Sequence, residues 1–139
     1  MLNHEAIAAL VPHQGAMCLL DRALSWDAER ILCEADSHAL GSNPLRRGGM
    51  LPAVCGLEFA LQAMALHGAL SAGGVPQRAG FVSSLRDVRM GTARLDTIAG
   101  PLRIEAVALV AEAGGFIYRF EIAGEGRSLL SGQAAVIIP

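Results

Sequence analysis

Apolar and polar residues alternate through the second half of the chain, and this period of two predicts β-strands. Glycine-rich turns separate the alternating runs, at Gly114–Gly115 and at Gly124–Glu125–Gly126. The third run places its large apolar side chains on one face: Phe116, Tyr118, Phe120 and Ile122. Four strands are therefore predicted: Arg78–Met90, Leu102–Ala113, Phe116–Ala123 and Arg127–Ile138.

Shorter elements occupy the first half. A helix is predicted over Asn3–Leu10, because Asn3 can cap it and Glu5 places a negative charge in its first turn. Two strands joined by a polar turn are predicted next, at Met17–Ser25 and Arg30–Ala35. The stretch Ser37–Gly49 is rich in glycine and proline and has no clear period, which is typical of a loop.

A long apolar helix separates the two halves. It is predicted to begin at Pro52, which suits the first turn of a helix, and to end near Ser71, just before Gly73–Gly74. Roughly 19 residues at 1.5 Å each give about 28 Å, enough to cross a small domain. Apolar residues surround this helix on all sides, so other elements must cover it.

The predicted order is one helix, two strands, one long helix and four strands. A meander of antiparallel strands buries such a helix only by curling around it. This α+β arrangement, a curled antiparallel sheet wrapped around one long central helix, is the hotdog fold. The length suits one core, so residues 1–139 are predicted to form a single hotdog domain. The open edge of the sheet favours a dimer or a higher even oligomer.

Composition narrows the function classes. Hydrophobic residues make up 53% and charged residues 17%, which excludes a disordered chain. A net charge of −2 with 4% aromatic residues disfavours nucleic-acid binding. No Lys or Arg precedes the first apolar stretch, unlike in a signal peptide. The long helix contains Glu58, Gln62 and His67, which favours a core helix over a membrane span. We expect a cytoplasmic protein without membrane insertion.

The three cysteines, Cys18, Cys33 and Cys55, are odd in number and widely spaced. This pattern predicts reduced core thiols and favours neither disulfides nor a metal site. Cys55 lies three residues before Glu58 and could share its surroundings. A buried apolar thiol remains the favoured interpretation, because local spacing places no histidine beside it. No metal and no cofactor are predicted.

Glu58 is the single carboxylate on the long helix. Burying it is costly unless it is paired, protonated or used in chemistry. Gln62 lies four residues later on the same helix face and is predicted to hydrogen-bond the carboxylate and orient it. The alternative is that Glu58 pairs with an arginine from another element.

The loop before this helix is basic and glycine-rich: Arg46, Arg47, Gly48 and Gly49. Free backbone N–H groups at a helix start can bind a phosphate or polarise a carbonyl. The two arginines could steer a phosphorylated or acidic partner. Ordinary solvated arginines before a turn are the alternative interpretation.

Histidine is the commonest general base, and the chain has four: His4, His13, His38 and His67. His67 lies nine residues after Glu58, about half a helical turn out of phase, so it is predicted to face away. His13 precedes the first predicted strand and His38 lies in the loop. For each one alone, a structural or surface role is favoured.

Three segments together resemble the hotdog-fold 3-hydroxyacyl-(acyl-carrier-protein) dehydratases. The segment Val11–Arg22 (VPHQGAMCLLDR) resembles the opening of that family, with Pro-His, a turn, aliphatic residues and Asp-Arg. Pro52, Glu58 and Gln62 reproduce the spacing of its helix, in which an acid six residues after the proline is catalytic. Leu85–Arg89 resembles the start of its third strand. The resemblance covers nearly the whole chain.

One departure from the family concerns catalysis. The family's histidine lies in a longer loop before the helix proline, whereas Asn43–Pro52 contains no histidine. An ungapped match places Gly48 at that position, whereas a gapped match deletes the histidine loop. The chain is more similar to a divergent branch of predicted dehydratases that accompany aryl-polyene-type and fatty-acid synthesis.

The resemblance implies loss of water from a 3-hydroxyacyl thioester held by an acyl carrier protein or coenzyme A. Glu58 would supply one of the two proton-transferring groups, and His13 or His38 the other, with His13 preferred because it lies in a matching motif. The backbone N–H of Ala53 would polarise the thioester carbonyl. Gln62 and the loop residues named above would contribute to substrate binding.

Two other functions remain open at this point. The chain could be a catalytically silent hotdog subunit that binds acyl chains, or pairs with an active dehydratase chain that brings its own histidine. It could also be a hotdog thioesterase in which Glu58 activates water. A homodimer, a higher even oligomer or a heteromer with another hotdog chain are all compatible with the resemblance.

Overall fold

The computed structural model describes residues 1–112 and 114–139. Within these residues it contains two α-helices, α1 at His4–Ala8 and α2 at Gly56–Ser71. Short 3-10 turns lie at Gly15–Met17, Ser37–Ala39 and Ala53–Cys55. The strands of the described chain are β1 (Leu2–Asn3), β2 (Arg22–Trp26), β3 (Arg30–Ala35), β4 (Phe81–Met90), β5 (Leu102–Glu112), β6 (Gly115–Gly124) and β7 (Arg127–Ile137).

All seven strands form one antiparallel sheet in the order β1-β2-β3-β5-β6-β7-β4. β1 and β4 are its edges, so the sheet is not closed. α2 packs against β3, β5 and β6, and its Phe59, Ala63 and Leu66 are fully buried. The predicted hotdog fold, α+β with a curled antiparallel sheet around one long helix, is confirmed.

The segment Ala53–Ser71 is long and apolar enough to cross a membrane, yet 61% of its apolar window is buried within the fold. Gln62 and His67, the polar residues near its middle, are buried and hydrogen-bonded to other parts of the chain. A polar group buried in this way is stabilised by partners that the folded domain supplies. The helix is therefore a core helix, as predicted.

The structure corrects the start of the first predicted strand. β2 begins at Arg22, five residues later than the predicted strand Met17–Ser25. The backbone before Arg22 bonds to a side chain instead of to a neighbouring strand: the N–H of Leu19 donates to the side chain of Gln62 at 2.8 Å. The prediction also missed the short edge strand β1, and Ala113, the last residue of the strand predicted at Leu102–Ala113, lies outside the described residues.

The predicted glycine turns are confirmed. The β5–β6 hairpin closes at the pair Glu112–Gly115. The β6–β7 hairpin closes through Glu125 and Gly126, which both have positive φ angles, of 53° and 74°. A two-residue turn with two positive φ angles matches the right-handed twist of the strands that it joins. α2 ends before Gly73, whose φ of 78° stops the helix.

The start of α2 is held by a carboxylate. Pro52 leads into the 3-10 turn Ala53–Cys55, which runs directly into the helix. Just before it, the N–H of Leu51 donates to Asp96 at 2.9 Å. The Arg94 guanidinium beside this carboxylate holds the pKa of Asp96 well below its usual range. These bonds fix the helix end that carries Glu58.

The cysteines are free thiols, as predicted. Cys18 and Cys33 are buried and Cys55 is partly buried. Burial raises the pKa of the Cys33 thiol to about 12, because the thiolate would lose its hydration. A thiol with so high a pKa is a packing residue and a poor nucleophile.

Candidate active site

A cavity of about 410 Å³ runs along one face of α2. Glu58, Leu61 and Ala65 line it from the helix, at the spacing that places residues on one face. The facing wall is mostly apolar. It is formed by Phe81 and Val82 at the start of β4, Phe116 in β6, Val136 in β7 and Ile138 just after β7. His13 closes the same cavity from the segment after α1.

Glu58 and His13 are brought together at this cavity, although 44 residues separate them in the sequence. The distance from Nε2 of His13 to Oε2 of Glu58 is 3.9 Å, and the two side chains are 26% and 39% exposed. This separation is longer than a hydrogen bond, so each group remains available to a bound third partner. Two of the predicted site residues, His13 and Glu58, therefore line the same cavity.

Glu58 occupies a favourable position for a carboxylate. It lies in the first turn of α2, where the positive end of the helix dipole favours negative charge. Within residues 1–112 and 114–139, its ion-pair partner is a histidine and no arginine lies at pairing distance. The described residues therefore show no ion pair between Glu58 and an arginine, although Arg78 lines the same cavity.

Gln62 does not orient Glu58 as predicted. Its Oε1 accepts the N–H of Leu19 at 2.8 Å, and its Nε2 donates to the C=O of Met17 at 2.7 Å. The amide therefore binds a backbone segment that would otherwise be left unsatisfied beside the helix. Because that segment follows His13 closely in the chain, Gln62 anchors the part of the protein that carries the imidazole.

Replacing Gln62 with leucine (Gln62→Leu) is expected to lower the free energy of unfolding by about 2–4 kcal/mol, because the buried N–H of Leu19 and the partly buried C=O of Met17 lose their partner. Urea unfolding followed by circular dichroism measures the change. The matched control is Gln133→Leu on β7, whose side chain forms no hydrogen bond within the described residues, and the expected change is within about 0.5 kcal/mol. Equal effects of the two substitutions would contradict the anchoring role.

The basic loop forms a tight hairpin. The N–H of Arg47 donates to the C=O of Met50 at 2.9 Å, and the reverse bond is 3.1 Å. Gly48 and Gly49 lie between them with φ angles of 59° and 77°. Two successive positive φ angles favour glycine, so these residues suit the geometry of the turn. Neither glycine lines the cavity, and the structure therefore does not support their predicted contact with substrate.

The two arginines of this loop hydrogen-bond to backbone carbonyls. Arg46 donates to the C=O of Gly49 and of His38, both at 2.9 Å. Arg47 donates to the C=O of Pro44 at 2.9 Å and is exposed. Neither arginine forms a salt bridge within the described chain, so both positive charges remain uncompensated there. Like the glycines, they lie outside the wall of the cavity.

Ala53 does not offer a free N–H to a substrate. Its N–H donates to the C=O of Ala93 at 3.0 Å, and the residue is buried. Pro52 also forms an antiparallel β-bridge with Arg94. The backbone before α2 is therefore bonded to the segment that follows β4. The predicted role of Ala53 as a carbonyl-polarising donor is therefore corrected to a structural one.

Two further histidines are structural. His38 is buried and its Nε2 donates to the C=O of Ile98 at 3.1 Å, away from the cavity. This contact replaces the catalytic role predicted for His38. His67 faces away from Glu58, as predicted, and its Nε2 donates to the C=O of Asp27 at 2.9 Å. Its Nδ1 accepts the hydroxyl proton of Tyr118, which ties α2 to β6.

The thiol of Cys55 is influenced both by the charge of Arg47 in the loop and by the charge of Glu58 in the cavity. Burial raises the pKa of its thiol most, the positive charge of Arg47 lowers that pKa and the negative charge of Glu58 raises it. Its thiol thus lies within the electrostatic reach of both charges. The uncompensated charge of Arg47 is therefore at the same end of α2 as Glu58.

Sequence reasoning missed the far wall of the cavity. Phe81 and Val82 open β4, whereas Val136 lies near the end of β7 and Ile138 just after it. These residues meet only because β4 pairs with β7. Gln77 also lines the cavity, held there by its backbone bond to Leu10 at 2.9 Å. Apolar strand ends in the sequence indicate burial but do not reveal which cavity they face.

Solved structures of similar fold are hotdog proteins. The dehydratase heterocomplex ApeI:P from Xenorhabdus doucetiae matches with a TM-score of 0.84 and 19% identity, over 100% of this chain and 92% of that chain. Zebra fish thioesterase superfamily member 2 matches with a TM-score of 0.66 and 14% identity over 100% of both chains. AziG from S. sahachiroi matches with a TM-score of 0.60 and 14% identity, over 85% and 89%. The protein is thus of the hotdog class that includes dehydratases and thioesterases.

The family comparison is more specific. Residues 5–139 match the ApeP-like family, described as ApeP dehydratase, so the chain belongs to the ApeP-like family of hotdog dehydratase-like proteins. A sequence comparison with curated proteins gives no match. The resemblance to dehydratases drawn from the motifs is confirmed at the level of the family.

Proposed function

We propose that the protein dehydrates 3-hydroxyacyl thioesters carried by an acyl carrier protein, in fatty-acid or polyene-type synthesis. The observation that carries this proposal is a carboxylate and an imidazole 3.9 Å apart at an apolar cavity. Membership of the ApeP-like family supports the class of reaction. An acyl chain beyond the thioester is apolar and fits a wall of aliphatic and aromatic side chains.

The chemistry requires two proton transfers. A base takes the proton from the carbon next to the thioester carbonyl, and the hydroxyl on the following carbon leaves as water after it gains a proton. Glu58 and His13 are groups of the right kind, and a substrate placed between them would meet both. The hydroxyl and the departing proton would then lie on one face of the substrate, which gives a syn elimination.

Arg46 and Arg47 suit the delivery of such a substrate. Their charges lack acidic partners within the described chain, and the charge of Arg47 lies near the N-terminal end of α2, which carries Glu58. Acyl carriers present a phosphate on a flexible arm, and arginine is a strong partner for phosphate. We infer that the loop steers the carrier towards the cavity, with Gly48–Gly49 presenting Arg47.

The edge strand β4 supports assembly with a second hotdog subunit. Its large apolar residues are unusually exposed: Phe81 57%, Leu85 43%, Val88 42% and Met90 60%. An exposed apolar edge strand is a template for pairing with another strand. Because Phe81 and Val82 also line the cavity, a subunit added here would complete its wall. We propose this edge as the subunit interface.

The alternative that the chain is a catalytically silent hotdog subunit is supported by a specific feature. The loop before α2 lacks the histidine of the wider dehydratase family, and the similar ApeI:P structure is a heterocomplex. A chain of this kind could complete the cavity of an active partner without reacting alone. The same fold in thioesterases keeps hydrolysis as a third candidate.

Two assays separate the three candidates. Hydration of a crotonyl thioester, the reverse reaction, is followed by absorbance for the protein alone and after co-expression with a second hotdog chain. Activity of the protein alone supports the proposal, and activity only in the mixture supports the silent subunit. Release of free thiol from an acyl thioester, detected by a colour reagent, would indicate a thioesterase and contradict dehydration.

A further inference from the structure

The two ring nitrogens of His13 lie in different surroundings. Nε2 points towards the cavity, 3.9 Å from Oε2 of Glu58. Nδ1 is buried from solvent and has no hydrogen-bond partner within residues 1–112 and 114–139. An ordinary catalytic histidine has its second nitrogen held by a carboxylate or a carbonyl, which fixes the proton on that side. His13 has no such support.

This asymmetry decides where the imidazole carries its proton. A buried N–H without an acceptor is one of the rarest features of folded proteins, whereas a bare acceptor is tolerated more often. A proton on Nδ1 would create that orphan donor, both in the Nδ1–H tautomer and in the imidazolium ion. The tautomer that avoids this orphan donor carries its proton on Nε2 and leaves a bare lone pair on Nδ1.

We propose that His13 acts in the dehydration as a neutral hydrogen-bond donor through Nε2–H, and that Glu58 performs both proton transfers. This inference rests on the proposed function, because it assigns the separate steps of that reaction to Glu58 and His13. It also accounts for a site without the family's loop histidine: one carboxylate replaces the acid–base pair, and His13 holds the departing hydroxyl.

The elimination balances with Glu58 alone. The carboxylate takes the proton from the carbon next to the thioester carbonyl, and the electron pair of that C–H bond forms the new C=C bond. The C–O bond of the neighbouring carbon breaks, and its oxygen takes the proton from the carboxyl group and leaves as water. Glu58 returns to a carboxylate, and His13 keeps its proton throughout while donating to the departing oxygen.

The geometry leaves room for this oxygen. At 3.9 Å the two side chains are too far apart to bond each other, but an oxygen seated beside both can lie at hydrogen-bond distance from each. Catalytic hydrogen bonds are often completed only when the substrate is bound. The hydroxyl of the substrate would thus join the donor on His13 to the carboxyl group of Glu58.

The first test measures the tautomer of the His13 ring directly. Nitrogen-15 NMR of histidine-labelled protein without substrate at neutral pH is expected to show His13 as the neutral Nε2–H tautomer, with assignment by loss of its signals in His13→Gln. An Nδ1–H tautomer or an imidazolium ion would overturn the inference. Because no substrate is present, this result is distinguishable from an inert protein, which would overturn the proposed reaction instead.

The second test asks whether a side chain that can donate a hydrogen bond but cannot transfer a proton preserves the activity. The side-chain amide of His13→Gln can donate from near the position of Nε2 but cannot exchange protons, whereas His13→Ala removes the donor. His13→Gln is expected to keep kcat within about 10-fold of the wild type, and His13→Ala to lower it about 100-fold, as for the loss of one preorganised donor. Equal large losses in both variants would show that His13 transfers a proton and would overturn the inference.

Discussion

Replacing Glu58 with glutamine (Glu58→Gln) is expected to lower kcat for hydration of a crotonyl thioester at least about 1000-fold, near the upper range for loss of one acid–base group. Glutamine has nearly the same shape but cannot take the proton from the acyl chain. The rate is measured by absorbance, with whichever partner chain the wild-type activity requires. Substrate binding is expected to change little, because the apolar wall of the cavity is untouched.

The matched control for this variant is Glu5→Gln. Both carboxylates lie in the first turn of a helix, so each substitution removes a similar interaction with a helix dipole, about 0.3–1 kcal/mol. Glu5 is exposed and does not line the cavity. Its variant is therefore expected to retain full activity. Wild-type rates in Glu58→Gln, with the fold confirmed by circular dichroism, would remove Glu58 from the chemistry.

Placing a lysine at Leu85 (Leu85→Lys) is expected to weaken subunit association at least about 100-fold, or about 2.8 kcal/mol at 1.4 kcal/mol per tenfold. Leu85 lies on the exposed edge strand and pairs in register with buried Ala134. A charge on an edge strand opposes strand addition, and its burial in an interface adds a desolvation cost. Sedimentation velocity across a concentration series measures the association.

Leu109→Lys is the matched control for the edge. Leu109 is 45% exposed, close to the 43% of Leu85, but it lies on β5, which is not an edge strand of the sheet. The same change of charge there is expected to leave association unchanged. If the two variants associate equally well, the subunit interface does not involve β4. If Leu85→Lys loses activity together with association, the cavity needs the second subunit to be complete.

The long helix and the hairpins could be predicted because their signals are local. Pro52 and Gly73 mark the helix, and alternation in β6 marks its buried face, where Tyr118 and Ile122 lie. Glu58 stood out for the same reason, as a lone carboxylate on an apolar helix. His13 was found only through its motif, because no local spacing relates it to a residue 45 positions later.

The predictions that failed depended on partners distant in the sequence. Helical spacing places Gln62 beside Glu58, but the unsatisfied backbone at Met17 and Leu19 competes for the same amide. A helix start offers N–H groups in general, yet the N–H of Ala53 is used by Ala93 across a loop. Such competition follows from the packed fold and has no signature in a short stretch of sequence.

The Gly48–Gly49 hairpin limits what a single substitution can do in this loop. An ungapped match to the wider dehydratase family places Gly48 where that family has its histidine, but its φ of 59° strains a residue with a Cβ by about 1–2 kcal/mol. A histidine introduced there would also lie at the tip of a turn outside the cavity wall. Gly48→His alone is therefore not expected to place an imidazole in the cavity, and a loop histidine that reaches Glu58 would require a longer loop.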